Sequence, residues 1–376
     1  MKLIILSISI ILLIFSTPYL YIKLKHEYWS KQPVSHYYNI LLKKGQISDK
    51  IPDKIVSQKL IVNNFDYKND ILMNQWIQLL RNSYIPVNNS SISYSIDKSF
   101  LTWSLNIYLK NFILLAITDE QKLVGTITSR KMNIQINDDK LSFLYVDYLC
   151  IDSIYRKKGL APILISNMAY EGFIRGQKLF IFKKEIYPLP YNYITSYMTY
   201  ILSINTTENE SKNVIENENK SYFLLSKKSS KKEIYDCYSY YQEHSNKFKL
   251  YQNYTLEEFI YYFISSDHTY SYYFADDNTH ITGLIVLFDS QFQYNTKKSL
   301  ELYLYLRNEN DHIDIIYLIL KSLNKYSYLY IPDIGYNEDI LNTDTYQKDM
   351  CNMNYIHLYN YHEYKVNKKD VLLSFF

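Results

Sequence analysis

LSFLYVDYLCIDSIYRKKGLAP, residues 141–162, decides how the chain is read. Its first half is apolar, aromatic and β-branched, the composition of a buried strand. Its second half is a basic turn carrying one glycine, Gly159, followed by an apolar run that opens at Leu160. A strand delivered straight into a helix start brings free backbone N–H groups and the positive end of the helix dipole to one point. Anionic oxygens bind there without a dedicated side chain. Arg156, Gly159 and Ala161 stand at Arg-x-x-Gly-x-Ala spacing, with Lys157 and Lys158 between them. An ordinary strand–turn–helix with a solvated basic turn has the same pattern, so the flanking segments must decide between the two.

Upstream, residues 59–62 read as a short strand and residues 69–82 as an amphipathic helix, with Ile71, Leu72, Trp76, Leu79 and Leu80 at helical spacing. A polar Asn/Ser loop at 88–95 leads to a helix at 100–109. Strands follow at 111–118, 121–128 and 131–136 before the strand that opens at Leu141. Downstream come a helix over 160–175 and a strand over 177–182. This β-β-β-β-α-β order predicts an α+β lobe with a mixed sheet flanked by helices. Residues 205–220, rich in Asn, Glu, Ser, Thr and Lys, cannot bury enough apolar surface to order themselves and read as a linker. Beyond them a second lobe, 221–376, repeats the theme. It has helices at 256–264 and 314–323 and strands at 270–274, 281–288, 302–306, 328–332, 357–364 and 371–376.

Charge is nearly balanced, with 41 basic and 38 acidic residues, so no global field points to nucleic acid. Three cysteines, Cys150, Cys237 and Cys351, lack metal-ligand spacing and fit buried thiols in a reducing compartment. Seven glycines beside 43 tyrosines, with much Asn, Ile and Lys, resemble the product of an AT-rich genome such as a large DNA virus. Residues 3–22 contain no charge, and about 20 apolar residues suffice for a helix to cross a bilayer. Residues 1–24 are therefore expected to form an N-terminal transmembrane anchor. Lys23, Lys25 and Lys31 on its distal side favour a cytosolic position for the rest of the chain.

The Arg-x-x-Gly-x-Ala spacing resembles the coenzyme-A signature of the GNAT acyltransferases. Further segments, in order along the chain, resemble one family built from two fused GNAT-like lobes, the eukaryotic-type N-myristoyltransferases. Tyr28-Trp29 with Gln32-Pro33-Val34 is similar to that family's Phe-Trp-x-x-Gln-Pro-Val. Residues 100–105, FLTWSL, are similar to Phe-Leu-Leu-Trp-Ala-Leu. Lys122-Leu123-Val124-Gly125, Asn133-Ile134, Asp147-Tyr148-Leu149-Cys150 and residues 161–165, APILI, fall where the family has Lys-Leu-Val-Gly, Asn-Ile, Asn-Phe-Leu-Cys and Ala-Pro-Val-Leu-Ile. Pro188-Leu189-Pro190, Asp333 with Asn337, and Leu358-Tyr359-Asn360-Tyr361 continue the series.

The resemblance implies transfer of the acyl group of myristoyl-CoA to the amine of an N-terminal glycine on a peptide or protein. It implies a monomer and no metal. It assigns the oxyanion to the backbone N–H groups of Tyr148 and Leu149, and the proton acceptor to the C-terminal carboxylate, here on Phe376. The coenzyme falls to Tyr28, Trp29, Cys150, Ile151, Arg156, Lys157, Lys158, Gly159, Leu160 and Ala161. The chain departs from the family at several points. Asp147 replaces an Asn, Phe182 or Lys183 stands where a Thr is expected, and the acidic loop after Val87 and the Gly-Asp-Gly near Cys351 are absent. Two other functions remain open on the sequence: a GNAT-type transferase with another acyl-CoA or amine, and a non-catalytic, membrane-tethered binder of acyl-CoA or lipopeptide.

Overall fold

The computed structural model describes residues 17–55, 61–85, 91–105, 112–204, 221–264, 266–276, 280–308, 313–343, 348–373 and 375. The expected linker (205–220), most of the expected membrane anchor (1–16) and Phe376 lie outside these residues. Residues 17–25 form a helix, α1. Among the described residues no helix is long and apolar enough to cross a membrane.

The fold is mixed α+β. After α2 (Glu27–Ser30), β1 (Gly45–Gln46) and β2 (Ile61–Asn64) comes α3 (Asp70–Ser83). The Asn69 side chain accepts from the N–H groups of Ile71 and Leu72 and so starts α3. Met73, Trp76, Ile77 and Leu80 then repeat on the buried face. β3 (Ile92–Tyr94) and α4 (Lys98–Ser104) lead to β4 (Phe112–Asp119), β5 (Lys122–Ile136) and β6 (Asp139–Ile151), an antiparallel series that carries the site. α5 (Leu160–Ile174) returns the chain to β7 (Phe180–Glu185), parallel to β6.

The second half runs from β8 (Thr195–Ser203) and β9 (Ser221–Leu225) through α6 (Lys231–Ser245), β10 (Leu250–Gln252) and α7 (Leu256–Phe263). Strands β11 (Thr269–Ala275), β12 (Ile281–Tyr294) and β13 (Lys297–Arg307) precede α8 (Ile313–Ser322), β14 (Tyr328–Pro332) and α9 (Asn337–Leu341). β15 (Lys348–Tyr359), β16 (Tyr361–His362) and β17 (Val371–Leu372) close the described chain. Among the described residues fifteen strands share one sheet, whose main path is β17-β10-β5-β6-β7-β15-β8-β14-β13-β12-β11-β9. The halves interleave within it: β15 lies between β7 and β8, and β10 and β17 extend the sheet beyond β5.

The structure corrects several readings of the sequence. Residues 131–136 are the end of β5 rather than a separate strand. The loop at 88–95 contains β3, which gains its partner only from the distant β12. The helices α6 and α9 and the strands β8, β9 and β10 escaped sequence reading altogether, and among the described residues the strand expected at 371–376 is only the two residues of β17.

α5 is where packing fixes the site. Leu160, Leu164, Met168, Ala169 and Phe173 bury one side against Ile113, Leu115, Val124 and Ile127 of β4 and β5. At Gly172 a Cβ would lie 2.5 Å from the Phe180 ring, so the helix approaches β7 closely because no side chain intervenes. Trp29 and Val34 join the same cluster, and the Tyr28 hydroxyl lies 3.1 Å from Ser166 Oγ on α5. The segment around α2 therefore lies across the helix that begins at the basic turn.

Candidate active site

β5 and β6 pair in register up to Thr126–Cys150 and resume at Thr128–Asp147, so Tyr148 and Leu149 together stand opposite Ile127. This is a β-bulge, a device that re-aims the backbone at functional sites. Tyr148 occupies the left-handed region at φ 48°, costly for a bulky residue and held by its surroundings. Thr126 Oγ1 donates to the Tyr148 carbonyl (3.3 Å) and Thr128 Oγ1 to the Asp147 carbonyl (3.0 Å). The Tyr148 ring is buried between Trp76 and Tyr84, its hydroxyl 3.3 Å from Ser104 Oγ. Leu149 is 38% exposed, so the bulge turns its second residue outward.

The Tyr148 N–H, expected to face the oxyanion, donates in this structure to Oδ1 of Asp147 at 2.7 Å. The same oxygen accepts from the Tyr84 hydroxyl (2.9 Å), and Oδ2 accepts from the Tyr145 hydroxyl (3.1 Å). Burial raises the Asp147 carboxyl above the usual carboxylate range, against the Tyr148 N–H, the Tyr84 hydroxyl, Lys183 and the Tyr145 hydroxyl, which lower it. The sequence position was legible, but the tyrosine cage around it was not.

Beyond the bulge, Asp152 N bonds the Val124 carbonyl (2.9 Å), and a 3-10 turn, Ser153–Tyr155, leads to the basic residues. Arg156 is folded back: Nε donates to the Ile151 carbonyl (3.2 Å) and Nη2 to the Ser83 carbonyl at the end of α3. It fastens the turn to α3. Lys157, at φ 62°, and Lys158, whose Nζ lies 4.8 Å from the Tyr155 ring centre, are exposed. Gly159, at φ 78°, is the N-cap of α5 and offers no side chain, so the first N–H groups of the helix face outward. Leu160 is buried under the turn while Ala161 is partly exposed. A helix start without a side-chain cap is suited to an anion, and Lys157 and Lys158 stand beside it, the latter against the Tyr155 ring. Ile151 packs against the α5 cluster and adds its carbonyl to the turn. The Cys150 thiol instead points into the core, 3.7 Å from the Leu79 carbonyl, and burial pushes it up to about 12. Only its main chain belongs to the site. An open groove runs along α3, lined by Gln75, Gln78, Asn82, Ser83, Lys122 and Asp152.

The segment from β17 to Phe375 crosses back to this site. Val371 pairs with Leu250, Leu373 is 1% exposed, and the Phe375 ring stacks on Tyr145 at 4.3 Å and 9°. Tyr145 is the residue whose hydroxyl holds Asp147. Lys368 Nζ, 2.5 Å from Asp333 and 3.1 Å from Glu338, pins the approach of this segment. Asp333 in turn accepts from Met198 N (2.7 Å) and Asn337 donates to the Pro332 carbonyl (3.0 Å), so both are framework residues. Phe376, the expected proton acceptor, lies outside the described residues.

Lys183 lies on the parallel neighbour of β6, where the resemblance leads one to expect a threonine, 3.3 Å from Glu185. Burial opposes its charge, but Glu185, Tyr197, Glu301 and Asp147 outweigh that and raise its pKa. Burial likewise pushes Glu301 up to about 7 despite Lys183. Lys183 thus interacts electrostatically with both Asp147 and Glu301.

Comparison with known proteins places these features in context. The family model described as "Myristoyl-CoA:protein N-myristoyltransferase, N-terminal domain" matches residues 43–180. A glycylpeptide N-tetradecanoyltransferase of Kluyveromyces lactis is 22% identical over 294 residues, covering 71% of this chain and 65% of that protein. One from Dictyostelium discoideum is 24% identical over 152 residues, covering 38% of this chain and 37% of its own length. The chain thus matches less than two thirds of the length of these curated relatives. Crystal structures of Saccharomyces cerevisiae N-myristoyltransferase with bound myristoyl-CoA superpose with TM-scores of 0.80 and 0.78 at 16% identity. They cover 96% and 93% of this chain and 99% of each of theirs. The fold is therefore shared with these structures over most of the chain, and residues 43–180 match the N-terminal domain model of the N-myristoyltransferases.

Proposed function

We propose that this protein transfers the acyl group of myristoyl-CoA to the amine of an N-terminal glycine on a peptide or protein. The observation that carries this reading is the direct junction of the Tyr148–Leu149 bulge to the uncapped helix start at Gly159. A diphosphate seated on the first N–H groups of α5, with Lys157 and Lys158 near its charge, leaves the pantetheine and thioester to run along β6 toward Leu149. The Tyr28–Trp29 segment covers α5 and gives the coenzyme a second wall. The amine is already a competent nucleophile once neutral, so no covalent enzyme intermediate is needed. Residues 25–204 would carry the coenzyme and 221–376 the peptide side, joined through 205–220. The uncharged run at 3–22, followed by Lys23, Lys25 and Lys31, supports attachment to a membrane with the working part in the cytosol.

A second reading, a binder of acyl-CoA without turnover, is favoured by one observation: the Tyr148 N–H is already taken by Asp147. Turnover separates the two. Purified protein is given acetyl-, octanoyl- or myristoyl-CoA with Gly-initiated peptides, and release of free coenzyme thiol is followed. Peptide-dependent release that rises with chain length supports the transferase. Tight binding of myristoyl-CoA with no release under any peptide supports the binder.

A further inference from the structure

We propose that Asp147 is the side-chain proton acceptor for the attacking glycine amine; this rests on the transferase reading above. Three observations on the structure converge. Asp147 is a half-buried residue whose carboxylate is fixed on both oxygens, by Tyr148 N–H and Tyr84 OH on one and Tyr145 OH on the other. It is the residue immediately before the bulge that would receive the thioester carbonyl, so an amine attacking that carbon arrives at its side. A lysine on the neighbouring strand, Lys183, makes that part of the cleft unfavourable to a second cation, so an incoming ammonium is driven toward its neutral form.

The groups that face Asp147 come from every packed element: Tyr84 from the end of α3, Tyr94 from β3, Tyr145 and Tyr148 from its own strand, and Lys183 from β7. Arg130 of β5 acts on Tyr145 and Tyr148, its guanidinium 5.4 Å from the Tyr145 ring centre. Of these, Asp147 alone carries a carboxyl group. Burial raises its carboxyl, bringing its proton affinity nearer to that of the amine.

The step balances as follows. The ammonium gives one proton to the Asp147 carboxylate, and the freed nitrogen lone pair forms the bond to the thioester carbon. The carbon–sulfur bond then breaks toward sulfur. The nitrogen loses its second proton to the departing thiolate, and Asp147 returns its own to solvent. Protonation also weakens Oδ1 as an acceptor, so the Tyr148 N–H is released to the oxygen that becomes negative on the thioester. The hydrogen bond that closes this amide in the resting protein thereby becomes the means by which it opens during attack.

The test is the pH dependence of kcat for Asp147→Asn and Asp147→Glu in the full chain, with myristoyl-CoA and a Gly-initiated peptide. General-base assistance is worth about 10²–10⁴-fold. Asp147→Asn should therefore lose at least about 100-fold at pH 7, and the loss should shrink as pH rises past the α-amine pKa of about 7.7–8.0. Binding of myristoyl-CoA should be unchanged. Asp147→Glu, displaced by one methylene, should recover part of the rate with an acid limb resembling the parent's. An Asn variant that keeps the parent's rate and acid limb places the acceptor elsewhere and overturns the proposal. A loss that is equal at every pH, or one accompanied by lost coenzyme binding, makes Asp147 structural and also overturns it. A parent protein that shows no turnover overturns the transferase reading itself, which separates the two failures.

Discussion

Replacing Phe375 by alanine should detach the segment that approaches the site from the C-terminal side, and the structure sets the size of the effect. The ring is 3% exposed and stacked on Tyr145 at 4.3 Å between centres. Phe→Ala in a packed core costs about 3–5 kcal/mol, of which a stacked aromatic pair contributes about 0.5–1.5 kcal/mol. The segment has only two paired residues, Val371 and Leu372, before it, so part of it can fray instead of unfolding the whole protein. A loss near the low end, about 3 kcal/mol, is expected, lowering Tm by about 3–6 °C in a chain of this size. Activity should fall further than stability suggests. Tyr145 loses the ring that fixes it, and its hydroxyl is the sole donor shown on Oδ2 of Asp147. A displacement of about 1 Å at a reacting group is worth about 100-fold in rate. Calorimetric melting, carboxypeptidase release and peptide-dependent turnover report these three consequences. Unchanged Tm and unchanged turnover in Phe375→Ala would refute the docking of this segment and its link to Asp147.

Gly159→Ala meets nothing within 4 Å, so its cost is conformational, about 1–2 kcal/mol for a left-handed alanine. Myristoyl-CoA affinity measured by titration calorimetry should weaken by roughly tenfold while secondary structure is kept. Gly172→Ala sets about 1 kcal/mol of helix propensity against about 1–3 kcal/mol of overpacking on the fully buried Phe180 ring. The urea midpoint should therefore fall, since that ring has no room to swing. His357 is fully buried, and burial pushes it down to about 3 from its ordinary 6.5. Below pH 6.5 the unfolded chain binds a proton that the folded protein refuses. Stability should thus fall by about 1.4 kcal/mol per pH unit toward pH 3, and His357→Gln should flatten that slope in acid denaturation.

Much of the coenzyme side was legible because it is local: a strand, a basic turn and a helix start are written in one stretch, and α3 and α5 carry their apolar periodicity in plain view. The misread elements share a cause. Ser129-Arg130 stood between two expected strands, yet Arg130 is 4% exposed, with its guanidinium over Tyr145 and Tyr262, so β5 runs through it. α6 carries Tyr235, Tyr238, Tyr240 and Tyr241, whose aromatic character argues for a strand, although Ser230 and Glu233 spelled a capping box at its start. β3 has no apolar pattern of its own and exists because β12 offers it an edge. The Asp147 cage was hidden in the same way. Tyr84 reaches it from α3 and Phe375 supports it from the far end of the chain, and no spacing rule links those positions.

The most direct measurement is the intact mass of a Gly-initiated peptide after incubation with the protein and myristoyl-CoA, beside the same peptide acetylated at its N-terminus. The account predicts one tetradecanoyl group on the free glycine amine and none on the blocked peptide. Bound coenzyme with neither peptide modified, or modification of both alike, would contradict it.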